Sequence, residues 1–200
     1  MWNPFKKKVV VNKIEPDFAD VSHWEKVDFE KYDKKILITK ATEAESYIDP
    51  TFKGIKNKCK EKGITFGAYH FFRCNKDAVI QAQHFLKVSG NTDMPPILDI
   101  ETLDGESRET CKKKIQIFLD IIEKATGKTP IIYIGHSFAV ELKLDESFSR
   151  YPLWLARYTT TEPIPPKPWS NYWAWQYADN APFDGVGECD GNIFGNTKLS

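Results

Sequence analysis

An α/β fold is predicted for this 200-residue chain: an irregular, shortened TIM-like barrel of five βα units followed by three strands joined by loops. Three observations lead there. Eight short apolar runs recur along the chain, each bounded by turn residues. Segments of helical character fill the gaps between the first six runs, as parallel strands with right-handed crossovers require. An ordinary (β/α)8 barrel takes ~250 residues, so 200 residues that lack helical stripes toward the C-terminal end suit eight strands better than eight helices.

The first run is Phe18–Val21, and Trp24–Tyr32 after it has weak helical character. Ile36–Thr39 is the second run. Phe52, Ile55 and Cys59 then share one helical face, and Gly63 supplies the left-handed stop. Phe66–Phe72 precedes a stripe of Ala78, Val79, Ala82, Phe85 and Leu86. Ile97–Ile100 precedes the strongest stripe, Cys111, Ile115, Phe118, Leu119, Ile122 and Ala125, which Gly127 ends with Pro130 beyond. Ile131–Ile134 is followed by a short helix around Ser137–Leu142, and then by Leu153–Ala156. After Arg157 the pattern changes. Pro163, Pro165, Pro166 and Pro168 exclude a helix before the strand Trp173–Tyr177, and a stretch rich in Gly, Pro, Asn and Asp precedes a weak strand at Cys189–Phe194. Residues 1–16 read as a short basic lead-in and 17–200 as a single barrel domain.

Composition removes several function classes. Lys+Arg and Asp+Glu both number 28, so net charge is zero, and affinity based on neutralising nucleic-acid phosphates has no source. Mean hydropathy is −0.47, and no apolar run approaches the ~20 residues of a membrane span. Lys6–Lys8 followed by Val9–Val11 imitates the start of a signal peptide, but the apolar stretch is short and no small-residue cleavage site follows. Four scattered cysteines form neither a zinc motif nor a disulfide scaffold. Cys59 and Cys111 fall on apolar helix faces, which predicts buried free thiols. Neither a metal nor a cofactor is expected.

Chemistry in such a barrel belongs at the C-terminal ends of the strands. Asp99 and Glu101 end an apolar strand in Pro95-Pro96-Ile97-Leu98-Asp99-Ile100-Glu101. Residues i and i+2 of a strand point to the same side, about 6.5–7 Å apart at the backbone. Two carboxyl groups in one cleft push their pKa values apart, leaving one as an acid and one ionised, as glycoside hydrolysis requires. The pair alone also suits a solvated strand-to-loop junction. Asp20 and Asp190 lie at the ends of the first and eighth strands, which are neighbours in a closed barrel, and so can reach the same mouth. His70 accompanies no serine or cysteine nucleophile motif, and Ser137 lacks the Gly-x-Ser-x-Gly elbow.

Together these residues resemble the glycoside hydrolase family 25 lysozymes, the Chalaropsis-type muramidases, from about Asp17 to Gly195. The matching blocks are Asp20-Val21-Ser22-His23-Trp24, Thr39-Lys40-Ala41-Thr42-Glu43, Tyr47-Ile48-Asp49-Pro50-Thr51-Phe52 and Gly67-Ala68-Tyr69-His70-Phe71-Phe72. They continue with Pro96–Glu101, Pro130–Tyr133, Pro152–Ala156, Trp175-Gln176-Tyr177 and Asp190-Gly191-Asn192. Phe18, Lys26 and Ala44 stand where the family commonly has glycine, departures that touch loop shape and leave every carboxylate in place. The resemblance implies hydrolysis, with retention, of the β-1,4 bond between N-acetylmuramic acid and N-acetylglucosamine in bacterial peptidoglycan. It gives Glu101 the general acid/base position, and Asp99 that of nucleophile or of the carboxylate that orients the substrate's acetamido group. Asp20 and Asp190 match two further active-site acids. Tyr69, Tyr133, Trp154, Trp175 and His70 are the expected substrate-binding residues. A chitinase-like glycosidase would share the D-x-E logic, but the fuller D-x-x-D-x-D-x-E pattern is absent; a non-catalytic wall-binding module would not need all four acids. A monomer acting on the cell wall is expected, without nucleic acid or membrane partners, and released by lysis or carried in a phage particle.

Overall fold

A computed structural model describes residues 14–195 together with Leu199. Most of the basic lead-in, residues 1–13, lies outside the described residues. Pro16 is buried, and the Ile14 carbonyl accepts a hydrogen bond from the Tyr177 hydroxyl.

The element order is β1 (Phe18–Val21), β2 (Ile36–Glu43), β3 (Tyr47–Ile48), α1 (Phe52–Lys62), β4 (Thr65–Phe71), α2 (Ala78–Ser89) and β5 (Ile97–Ile100). It continues with α3 (Arg108–Thr126), β6 (Ile131–Gly135), α4 (His136–Leu142), a 3₁₀ turn (Glu146–Arg150), β7 (Leu153–Ala156), β8 (Ala174–Phe183) and β9 (Gly187–Phe194). Seven strands pair in parallel in the order β1, β2, β4, β5, β6, β7, β8. β9 closes the barrel antiparallel to both β8 and β1, and β3 is a short strand folded back on β2. The antiparallel closure has a simple cause: β8 and β9 are joined by a tight turn at Asp184–Val186, with no crossover helix to carry the chain back.

The helices start and stop as their sequences dictate. Asp77 accepts the Val79 and Ile80 N–H groups at the start of α2, and Ser107 accepts that of Thr110 in α3. Gly63 and Gly127 end α1 and α3 in the left-handed conformation. No helix among the described residues is long and apolar enough to cross a membrane.

Two apolar layers result from strand alternation. Phe18, Ile38, Ile97, Ile131, Trp154 and Ala174 fill the barrel interior with Met94 and Trp173. Leu37, Ala68, Leu98, Ile100, Ile132, Ile134 and Leu155 point outward and pack with Phe85, Ile115, Phe118, Leu119 and Ile122 of the helices.

Two sequence expectations are corrected here. Trp24–Tyr32 forms turns, so four βα units rather than five are present among the described residues. The Asp28 N–H is taken by the Gly185 carbonyl at 2.6 Å, and Trp24 is 80% exposed, so no helical stripe is buried. The arm formed by the outer parts of β8 and β9 replaces the missing helix: Ala181, Phe183 and Cys189 pack in the same cluster as Ala19, Val21 and Tyr32. Cys111 is not a free thiol but is disulfide-bonded to Cys74, with Cα atoms 5.2 Å apart. The loop after β4 meets the first turn of α3, a proximity that a sequence separation of 37 conceals. Cys59 and Cys189 are buried and free.

The arm is held closely. Gly185 has φ +81°, and a Cβ there would meet the Asp28 carbonyl oxygen at 2.5 Å and the Tyr32 nitrogen at 2.7 Å. Gly185→Ala is therefore expected to destabilise the fold by about 1–3 kcal/mol through overpacking and backbone strain. An unchanged Tm would show that the turn is free to move off the barrel.

Candidate active site

Alternation decides which side chains reach the mouth. Asp99 and Glu101 project inward at the end of β5, Asp20 from β1 and Asp190 from β9. They line one pocket with Tyr69 of β4, Tyr133 of β6 and Trp154 of β7. Asp20 and Asp190 are register partners across the closing strand pair. Seven of the nine residues expected from sequence thus share one small cavity at the C-terminal ends of the parallel strands.

His70 and Trp175 do not join them, because each follows an inward residue and so faces out. His70 is fully buried between barrel and helices, hydrogen-bonded to Thr42 Oγ1 at 2.7 Å and Gln81 Oε1 at 3.2 Å, and stacked on Phe118. Burial pushes its pKa down to about 3, so it stays neutral. Trp175 packs in the outer layer and donates its indole N–H to the Arg157 carbonyl at 2.7 Å. Both are structural neighbours of the site, not its walls.

The Asp20 side belongs to a polar network. Its Oδ2 accepts from Asn192 Nδ2 at 2.7 Å and from Gln176 Nε2 at 3.1 Å. Gln176 Oε1 in turn accepts the Tyr133 hydroxyl at 2.8 Å, and Asn192 Oδ1 accepts the Trp154 indole N–H at 2.8 Å. Burial raises the Asp20 pKa well above its ordinary value, and the neighbouring Asp190 adds to this against the two amide donors. Asp190 is pushed up to about 6, chiefly by burial and next by Glu25. Burial and the like charge of Asp190 both favour a proton on Asp20.

On the other side, Asp99 is 5% exposed, and its Oδ1 has no hydrogen-bond partner among the described residues. Burial, then Glu101, raise its pKa well above normal, while Lys40 opposes them. Glu101 stands at the solvent edge. Its pKa is raised by the surrounding cleft walls and by Glu43, and lowered by Lys40. The phenols of Tyr69 and Tyr133 are raised by burial and by Asp99, and so remain O–H donors.

Lys40 and Glu43 were not singled out from sequence. Lys40 faces the mouth by plain alternation, two residues after the inward Ile38, and the register shift between Lys40 and Thr42 turns Glu43 to the same side, where Lys40 Nζ meets Glu43 Oε2 at 2.6 Å. The loop carrying Glu101 is pinned by Asp104, which accepts the Cys74 N–H at 2.8 Å and pairs with Arg73 at 2.8 Å. Since Lys40 lowers the Glu101 pKa, Lys40→Met is expected to move the alkaline limb of the activity profile to higher pH. An unmoved limb would separate Lys40 from the Glu101 proton.

A cation flanks the acids, one carboxyl is raised toward a proton donor's range, and a second lies beside it on the same strand face. That arrangement can protonate a leaving oxygen and stabilise positive charge at an acetal carbon.

Comparison with known proteins agrees. A model of the family described as glycosyl hydrolases family 25 matches residues 19–186. The protein YegX of Escherichia coli K12 is 34% identical over 190 residues, covering 89% of this chain and 69% of its own length. The crystal structure of a bacterial lysozyme from Streptomyces coelicolor superposes with a TM-score of 0.85 at 25% identity, covering 92% of this chain and 93% of that one. A family GH25 lysozyme from Aspergillus fumigatus gives a TM-score of 0.80 at 26% identity, covering 90% and 93%.

Proposed function

The chain belongs to glycosyl hydrolases family 25 and is a lysozyme-type hydrolase acting on peptidoglycan; from that premise we propose that it cuts the β-1,4 bond between N-acetylmuramic acid and N-acetylglucosamine with retention of configuration. Glu101 donates its proton to the leaving oxygen and later takes one from the incoming water. Asp99 either attacks the anomeric carbon or steers the substrate's acetamido oxygen onto it. Asp20, held by the Asn192 and Gln176 amides, and Asp190 add negative charge where the oxocarbenium-like transition state needs it. The phenol of Tyr69 offers a neutral donor to the sugar.

The observation that carries this reading is the convergence of Asp20, Asp99, Glu101 and Asp190 on one pocket with Tyr69, Tyr133 and Trp154. Burying several acids together is costly unless the site uses them. Mass spectrometry of digested peptidoglycan is the direct test. Fragments with reducing muramic-acid ends are expected, and reducing N-acetylglucosamine ends would overturn the bond assignment.

A further inference from the structure

Next to the acidic pocket, and sharing Glu101 and Tyr133 with it, lies a larger cleft of about 540 Å³. Its other walls are Gly135, His136, Ser137, Phe138, Ala156, Arg157 and Tyr158. The charge here differs from that of the mouth. At the opposite rim the cations are already matched, Lys40 with Glu43 and Arg73 with Asp104. Arg157 has no ion-pair partner among the described residues. Its backbone is nonetheless fixed: the N–H donates to the Gln176 carbonyl at 3.0 Å, and the carbonyl accepts the Trp175 indole N–H at 2.7 Å. A rigid strand end thus places Arg157 in the wall of a cleft that Glu101 also lines.

We propose that Arg157 determines specificity by binding a carboxylate carried by the glycan strand beside the scissile bond. The inference rests on the peptidoglycan reading above and extends it to the substrate's substituents. A guanidinium matches a carboxylate with two parallel N–H donors. His136 does not compete for that role, since burial and the nearby Arg157 charge lower its pKa. Phe138 gives the cleft an apolar wall. A strand containing muramic acid supplies carboxylates either on the lactyl ether or along an attached peptide, whereas a chitin strand supplies none.

The test compares wild type, Arg157→Gln and Arg157→Lys on four substrates: intact strands, strands stripped of peptide, and each of these after carboxyl amidation. Charged hydrogen bonds of this kind correspond to roughly 10-fold or more in affinity. Amidation should therefore raise KM for wild type by about 10-fold, while Arg157→Gln should show the raised KM on untreated strands and no further rise on amidation. Arg157→Lys should fall between them. An effect on stripped strands places the carboxylate on the lactyl group, and an effect confined to intact strands places it on the peptide. Equal losses on untreated and amidated strands, or no loss, would overturn the proposal. Should wild type cleave none of the four, the peptidoglycan reading fails instead. Calorimetric binding of N-acetylmuramic acid and muramyl peptide, each against its amide, to wild type and Arg157→Gln then decides the Arg157 question alone.

Discussion

Glu101→Gln is expected to leave the fold intact and to lower kcat/KM on peptidoglycan by about 10²–10⁴-fold, the usual contribution of a general acid/base. The amide keeps the shape of the side chain but can neither deliver nor recover a proton. Glu101 stands just beyond β5, in a loop anchored through Asp104, so the substitution perturbs no core packing. A loss below about 10-fold, with the fold shown intact by circular dichroism, would remove Glu101 from this role.

Asp99→Asn should be nearly as damaging to activity and should move stability the other way. Asp99 is buried, and one carboxyl oxygen lacks a partner among the described residues, so the folded protein holds its charge at a cost. Its folded-state pKa is raised above the unfolded value. Below about pH 4 both states are protonated and the cost vanishes. As pH climbs above that point, the unfolded chain releases the proton first and the folded state loses ground. The Tm of Asp99→Asn should therefore exceed that of wild type by a margin that grows with pH. A margin independent of pH would show that the Asp99 charge is not the cause. Activity separates the two roles of Asp99, because a direct nucleophile tolerates the amide far less than an orienting group does. Product anomers followed by NMR in the first minutes test the premise common to both. An initial α-anomer would mean inversion and would make Asp99 the base that activates water.

The strand cores and the helix stops at Gly63 and Gly127 were legible because alternation, helical stripes and left-handed glycines are local signals. Four acids and three aromatics of the site were legible because they end strands, and the family's ordered blocks supported them. His70 and Trp175 were misplaced although parity was available in the sequence: once Tyr69 and Gln176 face inward, their neighbours in the strand face outward. Glu43 is hidden for the opposite reason, since the register shift in β2 suspends that parity beyond Lys40. The disulfide partner of Cys111 and the replacement of the first helix by the β8–β9 arm were illegible, because each depends on contacts between segments remote in the chain.

The seam that joins β1 to β9 has a consequence for how activity is born. Asn192 reaches Phe18 and Asp20 across sequence separations of 174 and 172 residues, and the Phe194 N–H reaches Asp17 across 177. Closing so long a loop is entropically expensive and gains nothing until the final hairpin exists. The Asp20–Asp190 pair and Asn192 lie on that seam, and Gln176 reaches Asp20 from the adjoining β8. During synthesis, the β5 carboxylates emerge long before the strand that completes their pocket. Until β9 pairs with β1, the chain therefore holds Glu101 without the carboxylate pair that completes its pocket.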